Sequence, residues 1–394
     1  MIKWKSVSFT MCLLLCAIIL SACAITPAPS NPRVGDPLTI VEVKQRLKSK
    51  TQGINLIETN LTKLALTHMD LSGAQLTSSF LYGADFSHSN LEGADLRGAD
   101  LRHVKFHNTN LKNVNFTGAK LESSSFHSAD LSNANLSDVD AQAATIYRSV
   151  FRGANLSNVN LKKTSIRESL FESAHLENSN LSNAKVESAD FKYATIQNAI
   201  LVNMQCLKSR FQAASFSGSH LSKSNFSNCT FNDADFSLTL AADVNFSNTN
   251  LQGALFRQSN LTGAVFNNAN LSYADLSNAS FNEAEMIKAN LSYSSLNGTD
   301  FSDSELPSTN FSKATINNTN FEMSNLENTI FFKANVINSN FTNAELNNSN
   351  FQEANIDRSI FTKADINKTN FSFVKNIENA IDLKKTLNTN SAKF

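Results

Sequence analysis

Two pairs of histidines, each pair spaced 20 residues apart, are the side chains of this sequence best suited to chemistry. His107 and His127 form one pair, and His68 and His88 form the other. Imidazole nitrogens bind zinc and exchange protons near neutral pH. A zinc site needs three or four protein ligands, and neither pair has a clear third one nearby in the pattern. The histidines are therefore interpreted as surface residues without a metal.

Other polar residues recur at the same spacing of 20. The first histidine pair is followed by Tyr147, Arg167 and Glu187, and a column of alternating charge contains Arg152, Glu172 and Lys192. Exposed ion pairs contribute at most about 1 kcal/mol each, so these columns are interpreted as solvated ladders. The sequence has no nucleophile elbow, phosphate-binding glycine loop, paired-cysteine motif or His-Glu helix motif. It predicts a protein that is not an enzyme and uses neither cofactor nor metal.

A period of five residues underlies the spacing of 20. From Leu56 to Phe371 every fifth residue is Leu, Phe, Ile, Val or Met, apart from Ala141, Cys206 and Ala241. Three places after nearly all of these 64 pentad centres stands a small residue, mainly Ala, Ser, Thr or Val. Neither a helix nor a simple strand keeps a period of five on one face. The backbone must therefore turn once in every pentad.

The pentads resemble those of the pentapeptide-repeat family. Residues 94–98 read Ala-Asp-Leu-Arg-Gly and residues 269–273 read Ala-Asn-Leu-Ser-Tyr, and this pattern covers most of the chain. The resemblance implies an all-β fold, a right-handed quadrilateral parallel β-helix in which four pentads form a square coil of 20 residues. The 64 pentads would make 16 coils. Residues 20 apart would then stack at about 4.8 Å.

Columns of phenylalanine support four pentads per coil. Two opposite walls near the C-terminus contain Phe281, Phe301, Phe321, Phe341 and Phe361 on one side and Phe311, Phe331, Phe351 and Phe371 on the other. The walls between them hold smaller aliphatic residues, such as Ile316 and Leu326. A narrow core packs closely when rings occupy two walls and aliphatic chains occupy the other two.

Both ends of a solenoid expose strand edges and core, so short helical caps are expected. Asp36 before Pro37 is typical of a helix start and predicts an N-terminal capping helix. Its predicted apolar face contains Leu38, Val41 and Leu47. The pentads fail at Asn376, after which Ile377, Ala380, Ile381 and Leu387 have the spacing of a short closing helix.

The N-terminus carries the pattern of a secretory signal. Lys3 and Lys5 precede an apolar run of about a dozen residues, shorter than the roughly 20 that cross a membrane. Residues 20–23, Leu-Ser-Ala-Cys, resemble the lipobox of bacterial lipoproteins, which implies that Cys23 becomes the acylated N-terminus and anchors the protein in a membrane. With Ala24 next, the resemblance implies the outer membrane in a Gram-negative host. The alternative is an ordinary signal peptide, an incidental Cys23 and a soluble protein.

The predicted organisation follows from these patterns. It comprises a lipoprotein signal peptide (1–22), a lipid-anchored proline-rich tether (23–35), an N-terminal capping helix (36–55), the repeat β-helix (56–375) and a C-terminal cap and tail (376–394). Cys206 and Cys229 fall at inward positions of successive coils but around a corner. Their Cα atoms are expected to exceed the ~7 Å limit for a disulfide, so both are predicted to be small core residues.

Outward apolar residues are the best candidates for a binding surface. Tyr273 and Tyr293 share one column, which Tyr193 joins several coils away, and Ile330 and Phe332 flank the inward Phe331. Clustered exposed apolar side chains often mark a protein contact. Tyr273, Tyr293, Ile330 and Phe332 are therefore the predicted interaction surface for an unknown protein partner.

Charge gives little support to nucleic-acid binding. The chain has 34 basic and 34 acidic residues. We predict an exported, lipid-anchored envelope scaffold or protein-interaction module. One alternative is a DNA-mimicking protein that binds and protects gyrase, as some members of the family do; residues 231–371 carry 15 acids and 7 bases, against 15 and 16 in residues 56–230. A secreted effector is another alternative.

Lipidation of Cys23 can be tested directly. Labelled palmitate is expected to be incorporated into the protein in its host, and globomycin is expected to cause the unprocessed form to accumulate, because that inhibitor blocks cleavage before an acylated cysteine. A processed protein that takes up no palmitate and ignores globomycin would favour the ordinary signal peptide.

Overall fold

The structure, a computed structural model, describes residues 35–48 and 53–394. The predicted signal peptide, Cys23 and nearly all of the tether lie outside the described residues. Within the described ranges, no helix has both the length and the apolar character that a membrane crossing requires.

Residues from Asn55 onward form a parallel β-solenoid. One residue in each pentad bridges to the residue 20 places further on, from Asn55 with Gln75 to Asn355 with Lys375. The predicted parallel β-helix with four pentads per coil is confirmed. Where pairing extends to three residues it forms a five-stranded sheet, β1 (Ser125–His127), β2 (Thr145–Tyr147), β3 (Ser165–Arg167), β4 (Lys185–Glu187) and β5 (Gln205–Leu207), and a pair, β6 (Thr315–Asn317) and β7 (Asn335–Ile337).

The solenoid has four faces, each carrying one column of bridging residues at intervals of 20. Face I carries the column that starts at Asn60, face II the column of Ala65, face III the column of Asp70 and face IV the column of Gln75. The two residues after each pentad centre form the corner that leads to the next face.

Every corner depends on a left-handed backbone. From residue 58 to residue 373 the second residue after each pentad centre has a positive φ, between +49° and +72°, and ten of these residues are glycine. The amide one place further on usually donates to the carbonyl of the centre, as Ala74 does to Leu71 at 3.0 Å. No Val, Ile or Thr occupies any of these corner positions. A β-branched side chain tolerates this conformation least, so the sequence avoids it there.

Asn and Asp are favoured at the bridging position because each side chain bonds in two directions. The amide of Ser272 donates to Asn270 Oδ1 at 3.2 Å, which closes a local turn. Asn270 Nδ2 in turn donates to Asn250 in the preceding coil at 3.2 Å, and Asn290 donates to Asn270 at 3.1 Å. The repeated Asn therefore forms a ladder along face III that joins coil to coil.

The core is a stack of rings, as the phenylalanine columns predict. Phe321 and Phe341 stack with centroids 4.9 Å apart, and Phe331 and Phe351 stack at 4.4 Å on the opposite wall. Rings of the two walls meet edge to face, with Phe331 and Phe341 5.9 Å apart. Offset stacks and edge-to-face contacts are the favourable geometries for aromatic pairs.

Many buried hydroxyls in the core are bonded to backbone, although those of Ser124, Ser179 and Ser349 have no hydrogen-bond partner among the described residues. The turn after Phe126 lacks the usual bond from the Ala129 amide to the Phe126 carbonyl. Ser149 Oγ of the next coil bridges the two groups, since it accepts from the Ala129 amide at 3.1 Å and donates to the Phe126 carbonyl at 2.9 Å. A buried polar group without a partner costs free energy, so serine at this small inward position suits corners that lack the usual bond from the amide to the carbonyl of the pentad centre. This explains why serine replaces alanine in part of the inward series.

Cys206 and Cys229 are buried free thiols, which agrees with their prediction as small core residues. Their Sγ atoms nevertheless touch, at 3.6 Å, because both side chains point into the narrow core from neighbouring walls. The corner between them separates the side chains less than the sequence suggests. Burial raises the pKa of the Cys206 thiol, which keeps it protonated.

The N-terminal cap contains helix α1 (Ile40–Lys48), but its start differs from the predicted one. Asp36 is not the N-cap: the Leu38 amide donates to the Asn60 carbonyl at 2.9 Å and holds this segment extended against the first coil. Thr39 and Glu42 instead form a reciprocal cap, in which the Thr39 amide donates to Glu42 Oε2 at 2.6 Å and the Glu42 amide donates to Thr39 Oγ1 at 3.3 Å.

The buried face of α1 also differs in one residue. Val43 is fully buried, and Ile40 and Leu47 pack against the same core together with Leu38. Val41, predicted to face the core, is exposed instead. With the helix starting at Ile40, positions 40, 43 and 47 share one side and position 41 lies away from it.

At the other end, the predicted closing helix is replaced by one wider coil. The pentads end at Asn376 as predicted, but bridges then join residues 21, 22 and 23 apart: Ile360 with Ile381, Asp365 with Leu387, and Asn370 with Lys393. Each corner is a single 3₁₀ turn, and these turns span Ile377–Asn379, Leu383–Lys385 and Thr389–Ser391. The ring of Phe394 stacks on Phe371 at 5.5 Å and covers that edge of the core.

Leu238, which is exposed and has a φ of +62°, tests the cost of the left-handed corner. Leu238→Val is expected to reduce stability by up to about 1 kcal/mol, because leucine already bears the cost of this conformation and valine adds only the crowding of a β-branched side chain. Leu238→Gly should be neutral or stabilising by up to ~1 kcal/mol. Thermal unfolding followed by circular dichroism measures both. The matched control is Leu240→Gly, at an exposed bridging position outside the positive-φ set, which should lose about 0.5–1 kcal/mol. Equal losses at residues 238 and 240 on substitution by glycine would contradict the explanation.

Candidate interaction surface

The corner between faces III and IV carries the predicted tyrosine column. Tyr273 and Tyr293 occupy left-handed corner positions, where the side chain points away from the core. Their rings stack with centroids 4.9 Å apart and planes within 8°, and they are 57% and 45% exposed. The predicted stacking is therefore confirmed. Tyr193 lies in the same column, four coils away from Tyr273, and is also exposed.

Two lysines continue this column toward the C-terminus. Lys313 Nζ donates to Tyr293 Oη at 2.6 Å and lies 4.8 Å from the centre of its ring. That hydrogen bond raises the pKa of Lys313. Lys333 Nζ lies 4.9 Å from the ring of Phe332 and 3.3 Å from Glu353. Cations over aromatic faces order long side chains that would otherwise move freely.

The predicted apolar pair at this corner is only partly exposed. Ile330 is 38% exposed on face III, as predicted. Phe332 is half-buried, because Lys333 lies across its ring. We call the surface formed by these side chains the corner strip, and it comprises Tyr273, Tyr293, Lys313, Ile330, Phe332 and Lys333.

Three further residues of this column escaped the sequence reasoning. Lys313 and Lys333 pair with the aromatic residues, and Phe373, 80% exposed, lies at the C-terminal end of the column. Reading every twentieth residue after Tyr293 would have found all of them. The aromatic members alone do not indicate the cations that contact their rings.

The histidine columns stack as predicted but gather no third ligand. The rings of His107 and His127 lie 4.4 Å apart and those of His68 and His88 lie 4.8 Å apart, each pair within 3° of parallel. His107 Nε2 lies 2.7 Å from Ser125 Oγ. Over the described part of the chain, no three His, Cys, Asp or Glu side chains are grouped so as to hold a metal ion.

A shallow groove follows strands β1 to β5 along face II. One part of it, with a volume of about 410 Å³, is lined by residues of β3, β4 and β5, including Arg167, Lys185 and Leu207. Part of its charged wall is paired, since Arg167 Nε lies 3.3 Å from Glu187. The predicted ladder on another corner behaves alike, with Arg152 3.2 Å from Glu172. These exposed pairs form surface ladders rather than a convergent catalytic set.

Comparison with known families identifies the repeat. The profile described as pentapeptide repeats matches eight overlapping segments within residues 54–138 and 265–372. A second profile, described as a pentapeptide repeat region, matches residues 124–199 and 189–266. Together they cover residues 54–372 without a gap.

Solved structures of repeat proteins resemble parts of the chain. HetL from Nostoc sp., described as involved in regulation of heterocyst differentiation, is 23% identical over 69% of this chain and 96% of its own, with a TM-score of 0.23. QnrB1, a plasmid-mediated fluoroquinolone resistance protein, is 21% identical over 44% and 93%, with a TM-score of 0.28. A protein of the Arabidopsis thaliana thylakoid lumen is 27% identical over 35% and 65%, with a TM-score of 0.15. No curated protein matches the chain significantly.

The His107 column predicts a dependence of stability on pH. Burial, and then the neighbouring His127, lower the pKa of His107 below its ordinary value, and burial also lowers the pKa of His220. The unfolded chain then binds protons at a higher pH than the folded one. Stability should therefore fall as the pH drops from the ordinary histidine pKa of about 6.5 through the lowered values, and become constant below them.

Thermal unfolding of the protein and of His107→Gln between pH 8 and pH 5 measures this dependence. The substitution should remove part of the loss, and combining it with His220→Gln should remove more. Asn113→Gln, at an exposed corner position, is the control and should retain the full dependence. A melting temperature that rises on acidification through this range, or one that responds identically in all variants, would contradict the assignment.

Proposed function

This chain belongs to the pentapeptide-repeat family, and on that premise we propose that it is a non-enzymatic, lipid-anchored scaffold of the cell envelope that binds a protein partner through its corner strip. The observation that carries the proposal is the stack of Tyr273 and Tyr293 continued by Lys313. Aromatic residues and cations that meet in one exposed cluster are typical of binding hot spots.

The geometry of the strip supports binding to an extended surface. From residue 273 to residue 333 the column climbs three coils, or about 14 Å at strand spacing. Each side chain starts from a backbone held by hydrogen bonds to the coils on either side, such as that from the Tyr273 amide to the Ser292 carbonyl at 3.0 Å. A preorganised surface loses less conformational entropy on binding. The strip is therefore suited to a protein partner with a complementary flat or ridged face.

The sequence supports the envelope location. Under the proposal, the chain is cleaved before Cys23, acylated there and held by the proline-containing tether 24–35 at a membrane surface, the outer membrane in a Gram-negative host. The tether can extend by at most about 40 Å. That reach keeps the first coils of the rod near the headgroups and favours partners that are themselves fixed in the envelope.

One observation favours a second candidate function, binding to gyrase by mimicry of DNA. The C-terminal half of face II carries exposed acids such as Glu285, Glu305 and Glu345, which form no ion pairs among the described residues. Acidic members of the family protect gyrase in this way. Export would separate the chain from gyrase, so the envelope role is preferred. Gyrase supercoiling that is unaffected by an excess of the purified protein would eliminate this candidate.

Site-specific crosslinking tests the corner strip. A photoreactive phenylalanine analogue at position 293 is expected to capture a defined partner in the native membrane fraction. The same analogue at position 193, in the same column and similarly exposed, is the matched control and should capture little. Combining Tyr293→Ala with Phe332→Ala should lower recovery of that partner by roughly 30-fold, the effect of losing about 2 kcal/mol at a hot spot. Equal capture at both positions, or recovery unchanged by the substitutions, would refute the assignment.

A further inference from the structure

Face II carries two regions of opposite charge, one in its middle coils and one toward the C-terminus. With the corner residues on either side, the coils within residues 162–228 present six basic and two acidic residues on this face, a net charge of +4. The coils within residues 282–368 present eight acidic and three basic residues there, a net charge of −5. We call these the basic region and the acidic region of face II.

The charges of the basic region are available to a partner. Its exposed lysines form no ion pairs among the residues that the structure describes, and they are Lys162, Lys163, Lys185, Lys208 and Lys223. The region's two acids are already neutralised within the chain. Glu168 pairs with Arg148 at 2.8 Å, and Glu187 pairs with Arg167 at 3.3 Å. The outward field of this region is therefore positive.

The acidic region is likewise uncompensated. None of its carboxylates forms an ion pair in the described structure, and they are Glu283, Glu285, Asp303, Glu305, Glu322, Glu327, Glu345 and Asp365. Their neutral partners are amides: Asn325 Nδ2 donates to Glu305 at 2.8 Å, and Asn267 Nδ2 donates to Glu285 at 3.2 Å. A column of like charges about 4.8 Å apart repels itself and is relieved by an opposing positive surface.

Small side chains separate the two regions. The intervening coils present residues 242–248 and 262–268, where the corner toward face I consists of Ala242, Asp243, Thr262 and Gly263. Asp243 is the only charged residue in these two segments. A second flat surface can approach closely here without burying many charges.

We propose that face II binds a second copy of this chain, with the two solenoids antiparallel and side by side. A two-fold axis that crosses the face between the bridging residues Asn245 and Val265 brings the basic region of each copy onto the acidic region of the other. Coil then meets coil in opposite order along the interface. Lys162 and Lys163 face Glu345, Lys185 faces Glu322 and Glu327, Lys208 faces Glu305, and Lys223 faces Glu283 and Glu285.

Symmetry favours this arrangement over others that use the same face. A two-fold axis along the rods would make them parallel and set like charge against like charge. The transverse axis makes every contact twice and closes the assembly as a dimer. It also keeps each corner opposite its own counterpart, so Leu207, 43% exposed, meets Pro307 of the second copy near the corner between faces II and III. That contact adds apolar burial to the charged pairs.

The interface has the size of a specific one. Ten coils at about 4.8 Å give a length of roughly 45 Å, and a width of five or six extended residues adds roughly 18 Å. About 800 Å² is then covered on each copy, the standard area for a stable protein interface. The corner strip lies between faces III and IV, outside this interface. The inference is thus independent of the proposed function, and each can fail without the other.

Charge-reversed variants of the full-length protein test the proposal. Lys185→Glu, Lys208→Glu and Lys223→Glu reverse the basic region, and Glu285→Lys, Glu305→Lys and Glu322→Lys reverse the acidic region. Sedimentation velocity, with every sample in one mild detergent and 50 mM NaCl, should show a dimer for the unmodified protein and mostly monomer for each triple variant. We expect the dissociation constant to rise by at least about 10-fold in each, and in the unmodified protein at 500 mM NaCl.

Mixing the two variants gives the decisive result. The heterodimer restores opposite charge at both contacts, so an equimolar mixture should dimerise as the unmodified protein does. Glu172→Lys, Glu177→Lys and Glu353→Lys, three half-buried positions outside face II, change the net charge by the same amount as the acidic-region variant and should leave the dimer intact. Circular dichroism verifies that each variant is folded. A monomeric unmodified protein, dimers that survive both reversals, or folded variants that stay monomeric when mixed would each overturn the proposal.

Discussion

The left-handed residue at every corner is the constraint on which this structure depends. It turns the chain once in five residues, which places the pentad centre and the small residue inside and the bridging residue in register with the next coil. Most residue types accept that conformation only at a cost, and the cost recurs at every corner without glycine from residue 58 to residue 373. The ring stacks, the backbone bridges and the Asn ladders compensate for it collectively. None of these interactions would hold the corner alone.

Periodicity made the middle of the molecule predictable from sequence. Once Leu and Phe recur every fifth residue, the stack of Tyr273 on Tyr293 and the contact of His107 with His127 follow by counting. The ends obey other rules. Thr39 and Glu42 have the spacing of a capping box, which lies outside the repeat. Asn376, Asp382 and Asn388 are six residues apart rather than five, and this longer spacing corresponds to the wider last coil.

Side-chain contacts set the limits of prediction within the repeat. The half-burial of Phe332 depends on where Lys333 folds, and the contact of the Cys206 and Cys229 sulfurs depends on the width of the core. Both need coordinates rather than spacing. The charge pattern needs the fold for a different reason. A count of charged residues along the chain adds the four faces together, whereas a count on face II alone gives a net charge of +4 in one region and −5 in another. The surface of a solenoid is better read around the coil than along the chain.

The fixed coil length also governs how this protein can change. Deleting or duplicating 20 residues would shorten or lengthen the rod by one coil, about 4.8 Å, and leave every later side chain on its own face. A deletion or insertion of five residues would rotate the rest of the chain instead. It would turn everything beyond it by a quarter of a revolution and carry the acidic residues of face II to a neighbouring face. Insertions and deletions in this gene therefore have two distinct effects. Changes of whole coils alter the distance between surface regions, and changes of single pentads move those regions onto different faces.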